Sequence, residues 1–196
     1  MTTTKHYPFS SFRPLTEADL ALVWQWRNQA SIRANMHQDA PISWQQHQAW
    51  FAQRDASTSP FFVLCQDGRP IGALYFKPRP PESLEWGCYL GETDVWPGSG
   101  LLLEIAALDY ALAKPCCSAL YAEVLSFNLA VLKLHRLFGY EETDIRPATQ
   151  QRHGKPYQIH HFRYATDAWQ ANRSQVLAKL PKQIAAAAAL IEFNNQ

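Results

Sequence analysis

The sequence predicts an α/β (α+β) fold in which strands and helices alternate within one domain. Segments with apolar residues spaced at i, i+3 and i+4, which predict helices, alternate along the chain with short runs rich in aromatic and β-branched residues, which predict strands. The length of 196 residues and a hydrophobic fraction of 47% suffice for one sizeable core. We expect a single domain over residues 1–180, followed by an alanine-rich helical tail over residues 181–196.

The N-terminal part contains one strand candidate and two helix candidates. The strand spans residues 9–13, and Thr16 can cap a helix that runs to residue 28. Ser43, with Gln46 three residues later, forms a capping box for a second helix over residues 44–54.

The middle of the chain is predicted to form a β-hairpin and a further strand. The run "FFVLCQDGRPIGALYFK" places Asp67-Gly68, a strong turn signal, between two strands. The segment "LEWGCYL", residues 84–90, is the third strand of this group. A long apolar helix follows after a glycine-containing loop.

The C-terminal part continues the alternation. We expect a strand over residues 119–125, a helix over 128–138, a strand over 157–164 and a helix over 166–180 that Pro181 stops. The segment "QQRHGKPY" between residues 150 and 157 is expected as a solvated polar turn, and "QIAAAAALIEF" has high helix propensity. His160 and His161 alternate along their strand, so one faces inward and one outward.

Charge and composition exclude several classes of function. The formal net charge of +1 gives no bulk attraction for nucleic acid or an anionic membrane. No apolar run reaches the roughly 18–20 residues that cross a bilayer, and the N-terminus lacks a signal-peptide pattern, so we expect a cytoplasmic protein. The cysteines and histidines show no metal-ligand spacing, so no metal site is expected.

The stretch "DVWPGSGLLLEIAALDYAL" places Gly98 and Gly100 at the mouth of a helix. Such glycines serve either as a cap or as a phosphate cradle, because a helix N-terminus carries unpaired N–H groups. The loop is not a Walker A motif, since no Gly-Lys-Ser/Thr closes it. Leu103 at the third glycine position makes it a poor dinucleotide fingerprint.

The order of elements around this loop resembles the GNAT acetyltransferases over roughly residues 9–169. That family holds the coenzyme A pyrophosphate on a loop written Gln/Arg-x-x-Gly-x-Gly/Ala, and here Val95 departs from its first position. The resemblance implies a mixed central sheet of about seven strands with helices on both faces, and acetyl-CoA as cosubstrate. The implied cofactor-binding residues of this loop are Val95, Trp96, Gly98, Ser99, Gly100 and Leu101.

A second signature of the family matches "LYAEVLSFNLAVLKLHRLFGY". It implies Glu123 as the carboxylate that takes the proton of the amine, and Asn128 as a cofactor contact that also caps a helix. His135 stands where the family usually has the proton-donating Tyr. Backbone groups near Tyr89 and Leu90 are the implied donors to the thioester carbonyl. Three alternatives stay open: Glu123 is an exposed carboxylate at the edge of the sheet, Asn128 only caps the helix, and His135 is a packing residue.

A narrower resemblance lies in "WQWRNQASIRANMHQDAPISWQQHQAWF", which is similar to the pseudaminic-acid pathway N-acetyltransferases. Those enzymes acetylate the 4-amino group of a UDP-linked 4-amino-4,6-dideoxy sugar. The implied substrate-binding residues are Arg27, Asn28, Met36 and His47. Arg27 is alternatively a structural residue at a helix end.

Three functions remain open at this point. The first is a nucleotide-sugar N-acetyltransferase, and the second is a GNAT enzyme acting on a protein N-terminus or another small amine. The third is a coenzyme-binding module without catalysis, which only the departures at Val95 and His135 favour. The sequence leaves open the exact acceptor, whether the chain forms a homodimer, and the role of the alanine-rich tail.

Overall fold

The computed structural model describes residues 7–194 of the chain as eight strands, seven α-helices and a short 3-10 turn at Glu17–Asp19. The strands are β1 (Ser10–Pro14), β2 (Phe61–Gln66), β3 (Arg69–Arg79), β4 (Ser83–Leu90), β5 (Ala119–Leu125), β6 (Glu141–Arg152), β7 (Lys155–Ala165) and β8 (Ile191–Phe193). The helices are α1 (Leu20–Asn28), α2 (Ala30–Arg33), α3 (Trp44–Gln53), α4 (Ser99–Ala113), α5 (Leu129–Phe138), α6 (Thr166–Lys179) and α7 (Lys182–Ala188).

All eight of these strands form one mixed sheet in the order β6-β7-β5-β4-β3-β2-β1-β8. The pairs β4/β5 and β1/β8 are parallel, and the remaining neighbours are antiparallel. The β2–β3 turn is the Asp67-Gly68 turn that the sequence predicts, with φ of 49° and 82° at the two residues. The predicted α/β fold is confirmed, and the sheet has one strand more than the expected seven.

Helices cover both faces of the sheet, as expected, because alternate residues of the central strands are apolar on both sides. In β2, Phe61 and Val63 join a cluster with α1 and α2, whereas Phe62 and Leu64 join the larger cluster under α4 to α7. The sheet is thus buried on both faces at its centre, which fixes the register of the strands that carry the site.

Strands β4 and β5 pair over three residues and then diverge. The paired residues are Ser83 with Ala119, Leu84 with Leu120 and Glu85 with Tyr121. Beyond them β4 continues to Leu90 and β5 to Leu125 without pairing to each other. A gap therefore opens in the centre of the sheet, between the carboxyl halves of two parallel strands.

Several segments differ from the sequence-based expectation. Residues 30–33 and 141–149, where no element was expected, form α2 and most of β6. The stretch expected as a polar turn contains the end of β6 and the start of β7, with the turn itself at His153-Gly154. The alanine-rich segment, expected as a helix throughout, forms α7 and then β8, which pairs with β1. Phe193 of β8 stacks on Phe12 of β1 at 4.7 Å between ring centroids, so packing against the sheet overrides helix propensity there.

Within residues 7–194, none of the helices has the length and apolar character that spanning a membrane requires.

Candidate active site

The gap between β4 and β5 widens into a cavity of about 430 Å³. Its walls are residues 86–90 of β4, residues 122–125 of β5, one face of α5 and the segment that follows α2. Five residues expected to act in catalysis or cofactor binding line this one cavity: Tyr89, Leu90, Glu123, Asn128 and His135. The splaying of two strands thus brings together side chains that the sequence places on three different elements.

Glu123 lies in this cavity between two histidines. His37 Nε2 is 3.1 Å from Glu123 Oε2, and His161 Nδ1 is 3.2 Å from Glu123 Oε1. The hydrogen bond from His37 is the main cause that holds the pKa of the Glu123 carboxyl below its ordinary value, and His161 and Arg79 act in the same direction. Glu123 is therefore ionised at neutral pH and is not a solitary edge carboxylate.

Neither histidine was singled out by the sequence analysis. His161 is the cross-strand neighbour of Glu123 in the β5/β7 pair, and the alternation of β7 could have placed it on that face once the pairing was known. His37 carried no such signal, because it lies in an irregular segment 86 positions away along the chain. His160, on the other face of β7, binds Glu142. In the part of the chain that the structure describes, no group of three His, Cys, Asp or Glu side chains could hold a metal ion.

His135 is buried at the inner end of the cavity, with 2% of its surface exposed. Its Nδ1 lies 3.0 Å from Oε1 of Glu104, which comes from α4 and is equally buried. The ring stacks on Tyr140 at 4.5 Å between centroids. Burial raises the pKa of the Tyr140 hydroxyl, and the nearby Glu104 carboxylate raises it further. His135 is therefore both a packed residue and one that reaches the cavity.

Backbone groups of β4 border the other side of the gap. Tyr89 and Leu90 line the cavity, and they pair with β3 on one edge only, since β5 has left the opposite edge. Alternate N–H groups of such a strand point into the gap. Asn128 caps α5 by accepting a hydrogen bond from the N–H of Val131 at 3.4 Å. Its amide nitrogen has no hydrogen-bond partner among residues 7–194.

The glycines of the loop before α4 have different surroundings. A Cβ at Gly98 would overlap the ring of Trp96 and the side chain of Ile184. A Cβ at Gly100 would meet no atom within 4 Å. Gly98 is thus required by packing inside the protein, whereas at Gly100 the space that a side chain would fill is open.

Backbone donors are available at the same place. The N–H groups of Ser99 and Leu102 bond to the carbonyls of Trp96 and Gly98, whereas those of Gly100 and Leu101 bond to no backbone carbonyl of residues 7–194. The Ser99 side chain is buried and donates to a carbonyl or amide oxygen inside the protein, so it stiffens the loop. Val95 and Trp96 pack against the large apolar cluster. Two free N–H groups at a helix N-terminus, with open space before them, fit a phosphate group.

A second cavity of about 200 Å³ adjoins the first and shares Tyr75, Lys77 and Tyr89 with it. Arg27 and His47, both expected to bind substrate, line this second cavity. Arg27 Nη1 and His47 Nε2 are buried and have no hydrogen-bond partner among the described residues. Burial lowers the pKa of His47, so its ring is neutral at pH 7.

The other two residues expected to bind substrate are placed differently. Met36 lines the first cavity, on the segment that follows α2. Asn28 lines neither cavity, because its amide donates to the carbonyl of Ile42 at 2.9 Å and accepts from the N–H of Ile42 at 2.8 Å. Asn28 therefore ties Ile42, near the end of the segment after α2, to α1.

Known proteins share this architecture. Residues 11–141 match the family model described as the acetyltransferase (GNAT) domain. The acetyltransferase PseH of Campylobacter jejuni is 27% identical over 127 residues, which cover 64% of this chain and 79% of PseH.

Two solved structures have the same fold. The spermidine N-acetyltransferase from Vibrio cholerae, in complex with CoA and spermine, superposes with a TM-score of 0.73 at 16% identity, over 83% of this chain and 98% of that chain. The structure of yncA from Salmonella typhimurium with its cofactor acetyl-CoA gives a TM-score of 0.67 at 21% identity, over 81% of this chain and 94% of that chain.

Proposed function

The chain belongs to the GNAT acetyltransferase family, and from this premise we propose that it acetylates the 4-amino group of a UDP-linked 4-amino-4,6-dideoxy-N-acetyl hexosamine, as in pseudaminic acid biosynthesis. Membership of the family makes it an acyltransferase that uses acetyl-CoA. The identity of the acceptor does not follow from family membership and is what we propose in addition.

One observation carries this choice: the two adjoining cavities differ in chemistry. The first contains the ionised Glu123, which suits an amine, and the second contains the buried Arg27 Nη1 within aromatic walls. A buried guanidinium N–H without a partner costs free energy that an oxygen of a ligand can recover. Trp50 and Phe61 in the same walls suit a flat ring. An acceptor with an amine at one end and an anionic nucleotide at the other would use both cavities.

The residues before α4 fit the coenzyme. The free N–H groups of Gly100 and Leu101 and the open space at Gly100 would hold a pyrophosphate, with the pantetheine chain directed into the gap between β4 and β5. When bound, acetyl-CoA supplies the acetyl group as a reactive thioester. The backbone of Tyr89 and Leu90 would donate a hydrogen bond to the carbonyl oxygen, where it stabilises developing negative charge.

Two side chains would move protons in this site. Glu123, held ionised by His37 and His161, takes the proton of the attacking amine directly or through one water molecule. His135, oriented by Glu104, donates a hydrogen bond or a proton to the departing sulfur. Because a thiolate is already a fairly good leaving group, the second contribution is the smaller one.

The similarity to PseH supports the sugar acceptor, together with the resemblance of the N-terminal segment to the pseudaminic-acid pathway enzymes. The alternative acceptor is a cationic amine or a protein N-terminus, since a spermidine N-acetyltransferase has the same fold. A cationic acceptor would place its charge beside Arg27 and Lys77 in the second cavity, which is electrostatically unfavourable.

The test is a thiol-release assay with acetyl-CoA and three classes of acceptor: a UDP-linked 4-amino sugar, spermidine and a peptide with a free N-terminus. We expect kcat/KM for the amino sugar to exceed the other two by about 100-fold, since leaving the buried Nη1 donor of Arg27 without a partner costs about 1–3 kcal/mol. A higher kcat/KM with spermidine or the peptide would reject the proposed acceptor.

A further inference from the structure

Arg152, the last residue of β6, is buried although the sequence analysis placed it in a solvated turn. Only 8% of its side chain is exposed, and its guanidinium lies over the rings of Phe127 and Tyr157, at 5.4 and 5.7 Å from their centroids. The two rings hold the charged group in one orientation, away from bulk water. A buried arginine requires partners, and these lie on a distant part of the chain.

The partners are backbone carbonyls of the acceptor loop, which we define as residues 34–43, between α2 and α3. Arg152 Nη2 donates to the carbonyl of Met36 at 2.6 Å, and Nη1 donates to that of Ala34 at 3.1 Å. The carbonyls of Arg33 and His37 accept longer bonds, both of 3.4 Å. The planar guanidinium, with its several diverging N–H groups, can serve these carbonyls at once, and a lysine ammonium matches this arrangement poorly.

The acceptor loop carries groups of the active site. Met36 and His37 line the cavity between β4 and β5, and His37 binds Glu123. The carbonyls of both residues accept hydrogen bonds from Arg152, at 2.6 Å for Met36 and 3.4 Å for His37. A chain of contacts therefore runs from β6 through the loop to the carboxylate proposed as the base.

Side chains of α1 hold the second half of this loop, which Arg152 also reaches, since its Nη1 lies 3.4 Å from Asp39 Oδ2. Trp24 and Asn28 of α1 bind the carbonyl of Ile42, and Arg27 Nη2 donates to the carbonyl of Gln38 at 3.1 Å. The first half, residues 34–37, has two side-chain partners from outside the segment that runs from α1 to α3: Arg152, which binds its carbonyls, and Glu123, which binds the ring of His37. Loss of Arg152 would thus loosen the half that lines the cavity and leave the other half in place.

We propose that Arg152 is a positioning residue for the amine acceptor: it fixes residues 34–37 against the cavity, and through them sets His37 on Glu123. That Arg152 orders the loop follows from the contacts alone, whereas its effect on the acceptor rests on the proposed function. Among the described residues no hydrogen bond links the loop before α4 to this assembly, so we expect the affinity for acetyl-CoA to depend little on Arg152.

The experiment compares Arg152→Met and Arg152→Lys with the control Arg146→Met. Arg146 lies on the same strand, is 68% exposed and pairs only with Asp144. Hydrogen exchange of residues 34–37 is measured without substrate, because the amides of Ala34 and Met36 bond to the carbonyls of Ala30 and Arg33 and report on loop opening. Steady-state kinetics with the amino sugar give KM for each substrate and kcat.

We expect exchange in residues 34–37 to accelerate about 10-fold or more in Arg152→Met, and the acceptor KM to rise by a similar factor, since hydrogen bonds to a charged group are lost. Arg152→Lys should be intermediate, and the KM of acetyl-CoA should stay within about 2-fold of wild type in all variants. Exchange and acceptor KM equal to those of Arg146→Met would overturn the proposal. If the wild type acetylates no amino sugar, the acceptor assignment fails, but the exchange measurement still decides whether Arg152 orders the loop.

Discussion

His135 shows how one buried side chain can serve both packing and chemistry. It faces Glu104 at 3.0 Å, and each of the two side chains is only 2% exposed. Neither His135 Nδ1 nor Glu104 Oε1 makes a hydrogen bond to a described residue, and Nε2 of the ring is left for another partner. Removal of the imidazole would leave a buried carboxylate without its neighbour, which costs free energy in a protein interior.

The variant His135→Phe should therefore lose stability as well as activity. We expect a loss of about 1–3 kcal/mol in the free energy of unfolding, the range for leaving a buried polar group without its neighbour, and a fall in kcat of about 10–100-fold, the lower end of general-acid effects. The double variant His135→Phe/Glu104→Leu removes the stranded carboxylate and should regain most of the stability in denaturant unfolding.

The double variant separates the two roles of His135. If it recovers stability while kcat stays low, the imidazole takes part in the chemistry. If kcat returns to the wild-type value, His135 acts through packing alone, and water supplies the proton to the sulfur.

The loop before α4 and the alanine-rich segment form one structural unit. Ile184 of α7 is buried and lies where a side chain at Gly98 would have to go. Ile184 of the tail thereby packs against the loop at Gly98, whereas a Cβ at Gly100 would meet no atom within 4 Å. Packing inside the protein therefore constrains Gly98, whereas the constraint that we propose for Gly100 comes from the bound coenzyme.

Substitution of each glycine should reveal this difference. Gly100→Val should leave the melting temperature near that of wild type but weaken acetyl-CoA binding by about 10-fold or more, because a side chain there obstructs the N–H donors of the loop. Gly98→Ala should lower the melting temperature, because its methyl group overlaps Trp96 and Ile184. Calorimetric titration with acetyl-CoA and thermal unfolding measure the two effects. Wild-type affinity in Gly100→Val would contradict the assignment of this loop to the pyrophosphate.

The sequence predicted the parts of the molecule that depend on local signals. The capping box of Ser43 and Gln46 opens α3 as expected, since the two residues bond to each other's backbone N–H groups. The candidates Glu123 and His135 came from a motif within one strand and the following helix, and both line the cavity.

Contacts between residues far apart in the sequence were not predicted, because no local pattern indicates them. Arg152 and the carbonyls that it binds are 115 or more positions apart, and His135 and Glu104 lie on two helices whose packing no local pattern reveals. Strand β8 was not predicted, because the alanine run before it favours a helix. Residues 191–193 form a strand because they pair with the open edge of β1. Tertiary context decided each of these features.

The whole molecule is interpreted as an acetyltransferase whose two cavities bind the amine and the nucleotide of one acceptor. The most direct test is the ratio of kcat/KM for the UDP-linked 4-amino sugar to kcat/KM for the same sugar as its 1-phosphate, measured in wild type and in Arg27→Met. We expect a ratio of about 100 in wild type, since buried contacts with a charged group contribute a few kcal/mol, and a fall of at least 10-fold in Arg27→Met. A ratio near 1 in wild type, or one that Arg27→Met does not change, would contradict this interpretation of the second cavity.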